Sequence, residues 1–154
     1  MLIRDYKKSD NESIYDLFYN TVHYINARDY NKFQLDVWAK KNIDIDKWCK
    51  KFIKSYTLVA DEDRKIIGFA NIYKNGYFDC LYVHKDYQNI GIGKHLVNKI
   101  ENYASKMSTS EIITYSSITA KSFFISLGYN ILSENIVCKN SQKLLNYKMR
   151  KILI

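Results

Sequence analysis

The stretch that most restricts how this chain can fold is Gln88-Asn89-Ile90-Gly91-Ile92-Gly93. It sits between a short apolar run, Phe78 to Val83, and a helical pattern that begins at Lys94. Leu96, Val97, Ile100, Tyr103, Ala104 and Met107 recur at helical spacing, so the region reads as strand, glycine turn, helix. Such a unit is built to hold an anion. Glycines let the backbone turn sharply and approach a ligand closely, and the first N–H groups of a helix point outward at the positive end of its dipole. Lys94 and His95 place a cation and an imidazole where a first helical turn usually carries acids. Two familiar phosphate loops are excluded. A Walker loop needs four residues between its glycines, followed by Lys-Ser/Thr, and here one residue separates Gly91 from Gly93. A dinucleotide fingerprint needs glycine where Leu96 stands.

The rest of the chain alternates strands and helices around this unit. Met1 to Tyr6 reads as a short strand, and Ser9-Asp10-Asn11-Glu12 supplies a cap for a first helix carrying Ile14, Leu17, Phe18 and Val22. A second helical region, Asp29 to Lys54, is broken near Lys41 to Asp46, where Asp44 or Asp46 can cap a new helix. Tyr56 to Asp61 and Ile66 to Tyr73 form a hairpin across a polar turn, and Asn75-Gly76 makes a tight turn into Tyr77 to Val83. Glu111 to Tyr115 is a strand, Thr119 to Leu127 a helix ended by Gly128, and Asn130 to Val137 with Leu144 to Ile152 a closing hairpin. The order is that of an α/β domain with a mixed sheet.

At 154 residues and 47% hydrophobic, the chain is expected to be one domain able to bury a real core. With no long apolar run and no signal-peptide pattern, a soluble cytoplasmic protein without membrane association is expected. Cys49, Cys80 and Cys138 are odd in number and have no paired spacing for zinc, so reduced thiols and no metal are expected. The net charge of +8 suits an anionic partner, but no arginine-rich helix, zinc module or aromatic RNA-binding signature favours nucleic acid.

Gln-x-x-Gly-x-Gly after a strand ending Leu81-Tyr82-Val83 resembles the pyrophosphate loop of the GCN5-related N-acetyltransferases, the GNAT superfamily. A second stretch, Thr119-Ala120-Lys121-Ser122-Phe123-Phe124-Ile125-Ser126-Leu127-Gly128-Tyr129, is similar to that family's helix motif of Asn-Ala, two residues, Phe-Tyr, three residues, Gly-Phe. The two stand in the family's order at a suitable separation. The resemblance covers residues 1–154 as a single domain and is strongest to a poorly characterised bacterial branch.

The resemblance implies a mixed, mostly antiparallel central sheet flanked by helices, with acetyl-coenzyme A as co-substrate and no metal. Its pyrophosphate would lie on the backbone of Gln88, Asn89, Ile90, Gly91, Ile92, Gly93 and Lys94, and its pantetheine arm alongside Leu81, Tyr82 and Val83. Phe123 and Phe124 of the second motif would stand beside the donor, and the hydroxyl of Ser117 or Thr119 would bond a pantetheine amide. The N–H of Val83 would face the thioester carbonyl. The acceptor, a primary amine of a small molecule or protein, would attack directly, and the first helices would wall its pocket, making His23, Tyr24, Tyr30 and Trp38 candidate contacts.

An ammonium of pKa about 10.4 must lose a proton before it attacks. Simple alternation puts Tyr77, Asp79, Leu81 and Val83 on one strand face, which makes Asp79 the candidate base, with His84 and Glu134 behind it. Where many family members carry the tyrosine that protonates the leaving thiolate, this chain has Phe124, so the acid is Tyr147, Tyr82 or Tyr115, or none. That departure keeps open a second reading, an acyl-CoA-binding sensor or interaction module without turnover. A monomer and a homodimer are both compatible with the sequence.

Overall fold

The computed structural model describes residues 1–153. In chain order the elements are β1 (Leu2–Asp5), α1 (Asn11–Tyr24), α2 (Lys32–Trp38), α3 (Ile45–Trp48), α4 (Lys50–Ile53), β2 (Tyr56–Glu62), β3 (Lys65–Ile72), β4 (Tyr77–Val83), α5 (Ile92–Lys106), β5 (Glu111–Ser117), α6 (Lys121–Ser126), β6 (Asn130–Lys139) and β7 (Gln142–Ile152). All seven strands join one sheet in the order β1-β2-β3-β4-β5-β7-β6. Every pairing is antiparallel except β4 with β5.

The sheet carries a separate apolar layer on each face. One layer packs Ile14, Phe18, Val22, Leu35 and Phe52 of α1, α2 and α4 against Val59, Phe69 and Cys80. The other packs Leu96, Val97, Ile100 and Ala104 of α5, with Phe124 of α6, against Ile67, Ala70, Phe78, Ile112 and Met149. Leu96, Val97 and Ile100 are wholly buried, the inward stripe that their helical spacing predicts. The far end of α5 is tied down as well. Glu101 accepts hydrogen bonds from Tyr129 Oη and from Lys151 Nζ, each at 2.9 Å, so the helix that carries the glycine turn is anchored to β7.

Capping differs from expectation at one helix. Asp44 caps α3 through the Lys47 N–H at 3.1 Å, as its position predicts. Asp10 makes no such bond to α1. Its carboxylate takes two bonds from the Arg4 guanidinium, at 2.9 and 3.0 Å, and one from the Lys7 N–H at 2.9 Å, because a short helical turn at Lys8–Asp10 comes first and Arg4 of β1 lies within reach. No helix among the described residues is long and apolar enough to cross a membrane.

Two irregularities open the sheet at its centre. The parallel pairing of β4 and β5 covers only Tyr77↔Ile113 and Phe78↔Thr114, after which the strands diverge, pinned at the apex by Thr114 Oγ1 donating to the Phe78 carbonyl at 2.8 Å. The β3–β4 register also slips, with Ile72 opposite Phe78 but Asn71 opposite Cys80, so that Asp79 is the extra residue of a bulge. Buried Asn71 stabilises that bulge. Its side-chain oxygen accepts the Cys80 N–H at 2.9 Å, and its amide donates to Ser55 Oγ at 3.0 Å.

Candidate active site

The bulge changes which residues share a face of β4. Uninterrupted alternation would put Tyr77, Asp79, Leu81 and Val83 together, but the inserted Asp79 shifts the phase by one. Cys80 and Tyr82 belong to the α1–α4 layer and Leu81 and Val83 to the α5 layer. Asp79 lies on the α1–α4 side, where Tyr77 Oη donates to its Oδ1 at 3.2 Å and Lys51 Nζ of α4 stands 3.8 Å from its Oδ2. The expectation of a common face for Asp79, Leu81 and Val83 is therefore corrected.

Beyond the apex, one side of the β4 main chain has no strand beside it. The His84 N–H bonds the Ile67 carbonyl at 2.8 Å, which fixes the ladder phase and directs the peptide groups of Tyr82 toward β3. Those of Leu81 and Val83 point the other way, into the gap between β4 and β5. The Val83 carbonyl confirms that phase, accepting Thr21 Oγ1 at 2.9 Å and Gln88 Nε2 at 2.7 Å from outside the sheet. The main-chain groups left for an extended ligand are thus those of Leu81 and the Val83 N–H, the Val83 carbonyl being taken. Tyr82 lends only its side chain, because its own peptide groups are occupied by β3.

The gap is part of a cavity of about 510 Å³, walled by Thr21, Asn26, Tyr30 and Trp38 on one side, by Thr114 to Ser117 on another, and by the glycine turn at its end. The turn enters α5 through Asn89 at φ 61° and Gly91 at φ 94°. No side chain caps α5, and its first ladder bond is His95 N–H to the Gly91 carbonyl, at 3.1 Å. The N–H groups of Ile92, Gly93 and Lys94 are consequently free, at the positive end of a fifteen-residue helix. Gly91 satisfies the left-handed backbone with open space around it, whereas a Cβ at Gly93 would come within 3.2 Å of the Phe123 ring. The two glycines serve different ends, one the turn and the other the packing of α6 on α5.

Not every sequence candidate reaches the cavity. Gln88, Asn89, Gly91, Ile92, Gly93 and Lys94 line it, but Ile90 is 67% exposed and turned to solvent. Tyr30 and Trp38 line it, with ring centroids 5.2 Å apart, and Tyr30 Oη also staples two walls by donating to the Leu145 carbonyl at 2.5 Å and accepting the Ile118 N–H at 3.0 Å. His23 and Tyr24 lie outside. His23 packs at a tilt against Tyr19 and bonds the Ala39 carbonyl, and Tyr24 is exposed beneath Lys85. Tyr147 is also outside: β7 lines the cavity with Leu144, Leu145 and Asn146, while the Tyr147 ring packs on the α5 side beneath the Lys121 ammonium. His84 is engaged by the Asp86 N–H, and burial holds its pKa below the ordinary value. Neither His84 nor Glu134 lines the cavity.

Of the second-motif residues, Phe123 and Phe124 both line the cavity, Phe123 beside Gly93 and Phe124 largely buried, edge-on against Phe78 and Tyr129. Tyr82 and Tyr115 both line it. The Tyr82 ring lies between Phe18 and Phe69, and burial drives its pKa well above the ordinary tyrosine range. Ser117 Oγ is occupied by the Ala120 N–H at 3.0 Å. Thr119 Oγ1 is buried with no hydrogen-bond partner, the one side-chain oxygen or nitrogen in that condition among the described residues, and Thr119 lines the cavity. Asp79 is the only carboxylate among the described lining residues, against Arg28, Lys94 and Lys139.

The acetyltransferase (GNAT) domain family matches residues 26–151 of this chain. The chain belongs to the GNAT family of acetyltransferases. It is 28% identical over 148 residues to YafP of Escherichia coli (strain K12), an uncharacterized N-acetyltransferase, covering 96% of this chain and 93% of that one. Among solved structures, a GCN5-related N-acetyltransferase from Rhodopseudomonas palustris superposes with a TM-score of 0.94 at 28% identity, over 99% of this chain and 95% of the other. The PaiA N-acetyltransferase of Thermoplasma acidophilum, solved with coenzyme A, shares the fold with a TM-score of 0.82 at 20% identity, over 99% and 98% of the two chains. The GNAT fold is thus the mixed seven-stranded sheet described above, and the diverging β4 and β5 are its central feature here.

Two residues next to the Asp79 bulge carry no motif signal. Asn71 and Lys51 look in sequence like an ordinary strand polar residue and one of many lysines, and only the bulge brings them to Asp79. A strand whose polar residues are flanked by apolar ones on both sides, as Asn71 is by Ala70 and Ile72, was the available hint.

Proposed function

We propose that the protein is an acetyl-CoA-dependent N-acetyltransferase whose acceptor is a primary amine. The observation that carries this reading is the unpaired edge of β4 running directly into the free N–H groups of α5, a continuous backbone surface for an extended ligand with an anionic end. The lone hydroxyl of Thr119 supports it, since a buried oxygen without a partner costs about 1–3 kcal/mol and a donor amide would satisfy it. Bound acetyl-CoA supplies an activated acetyl thioester. The backbone of Gly91 to Lys94 holds the diphosphate, the main chain of Leu81 and Val83 orients the arm, and the Val83 N–H steadies negative charge gathering on the acyl oxygen. Asp79, which lines the same cavity as Tyr30 and Trp38, takes the proton of the incoming ammonium directly or through water.

Calorimetric titration of the purified protein with acetyl-CoA, followed by free-thiol release against a panel of amines and peptides, tests this. Binding with thiol release for an acceptor is the expected result. Binding without release from any acceptor would favour the sensor reading, and no binding would overturn the assignment. Thr119→Val gives a separate check. It removes the orphaned hydroxyl at nearly constant shape, so stability is expected to rise by about 1 kcal/mol while acetyl-CoA affinity falls about fivefold to tenfold. A merely structural threonine would change only the first.

A further inference from the structure

We propose that Tyr30, beyond lining the cavity, is a positioning residue for the donor: its hydroxyl takes the place of the last rung between β5 and β7 and so holds Thr119 where the donor arm lies. This rests on acetyl-CoA being the ligand of the Thr119 hydroxyl, as proposed above. The phase of the β5–β7 ladder is set at its other end. The Leu153 N–H bonds the Ser110 carbonyl at 2.8 Å, and the register runs without a slip from Glu111↔Ile152 to Ser117↔Asn146, so the even-numbered residues from Ser110 onward are those that exchange main-chain bonds with β7. The rung after Ser117 would therefore join the Ile118 N–H to the Leu145 carbonyl. Tyr30 Oη occupies that place, accepting the Ile118 N–H at 3.0 Å and donating to the Leu145 carbonyl at 2.5 Å. β5 accordingly ends at Ser117, one residue before the inserted hydroxyl.

The ring that carries this hydroxyl is fixed. Tyr30 is 6% exposed, meets Trp38 edge to face at 5.2 Å, and bonds the Asn26 carbonyl through its own N–H at 3.1 Å. Burial raises its pKa, so the hydroxyl keeps the proton it donates to Leu145. What the hydroxyl controls is the turn that follows β5. The Ile118 N–H is tied to Tyr30 and the Ala120 N–H to Ser117 Oγ at 3.0 Å, which fixes the chain on both sides of Thr119. Thr119 Oγ1 is thereby held on the cavity, buried and without a partner of its own. Without the Tyr30 hydroxyl, the Ile118 N–H and the Leu145 carbonyl would lose their shared partner, and a buried N–H and carbonyl left unpaired are costly. They would instead close on each other, extend the ladder by one rung, and draw Thr119 away with β5.

The test is a double-mutant cycle on acetyl-CoA affinity, read by calorimetry, with thermal unfolding of each variant alongside. Tyr30→Phe keeps the ring against Trp38 and removes only the hydroxyl. It is expected to raise the Kd about fivefold in the otherwise unaltered protein, but by less than about twofold in a Thr119→Val background, where the group it positions is already gone. A tyrosine that only holds the fold would lower the unfolding temperature equally in both backgrounds and leave the affinity alone. A second measurement needs no variant. Hydrogen exchange at the Ile118 N–H, followed by NMR, should slow about fivefold when acetyl-CoA is bound, because coupling between that bond and the ligand is reciprocal. It decides the matter should Tyr30→Phe fail to fold. Unchanged affinity in folded Tyr30→Phe, a full fivefold loss persisting on Thr119→Val, or unchanged Ile118 exchange would overturn the role of Tyr30 and leave acetyl-CoA as the donor. An unaltered protein that does not bind acetyl-CoA would overturn the donor reading, and the role of Tyr30 with it.

Discussion

Asp79→Asn is expected to lower kcat/KM for amine acetylation at pH 7 by about a hundredfold to ten-thousandfold, the range over which a positioned base acts. The amide keeps the shape and can still accept the Tyr77 hydroxyl, so the bulge and the acetyl-CoA affinity should survive, the latter within about twofold. The loss should also depend on pH. As pH rises toward the acceptor's own pKa, about 10.4 for a lysine-like amine, neutral amine becomes available without help and the gap between variant and parent should narrow. Steady-state thiol release from pH 7 to 10 measures this. A gap that stays constant across the range would show that Asp79 contributes binding or structure, not proton removal.

Gly93→Glu should have the largest effect on the donor. A Cβ at this position meets the Phe123 ring at 3.2 Å and Val83 Cγ2 at 3.7 Å, so the ring must give by a few tenths of an ångström. The carboxylate is then left beside the free N–H groups of the turn. It would compete for those donors and repel a diphosphate. A like charge at about 4 Å near a protein surface opposes by about 4 kcal/mol, so the Kd for acetyl-CoA should rise at least a hundredfold. Gly91→Glu should act in the same direction with an added backbone penalty of about 1–2 kcal/mol, since φ is 94° there. Calorimetry reads the affinity, and thermal unfolding separates it from a loss of fold. Unchanged affinity in a folded Gly93 variant would remove the diphosphate from this turn.

The elements and the glycine turn that closes one end of the cavity are legible in the order of residues alone. Hydrophobic periodicity, the turn residues and two spaced motifs depend on local backbone preference and on residues near one another in the chain. The strand, turn and helix from Phe78 to Met107 accordingly form as the spacing predicts, with the turn residues Gln88 to Lys94 on the cavity apart from Ile90. Periodicity cannot show a one-residue slip in a ladder, because a slip depends on what the partner strand offers. Here Asn71 bonds the Cys80 N–H and makes room for Asp79. That bulge separates Asp79 from Leu81 and Val83, turns it toward α4, and gives it Lys51, twenty-eight positions earlier in the chain.

Aromatic candidates divided for a similar reason. Tyr24 and His23 end α1 at the solvent and against α2, while Tyr30 and Trp38 are carried over the gap by the folding of α2 onto β7. Tyr147 packs against the α5 layer, and Asn146 before it lines the cavity. The tertiary structure decided these points because each depends on which side of a strand or helix meets which neighbour, a relation between distant segments that no local pattern contains.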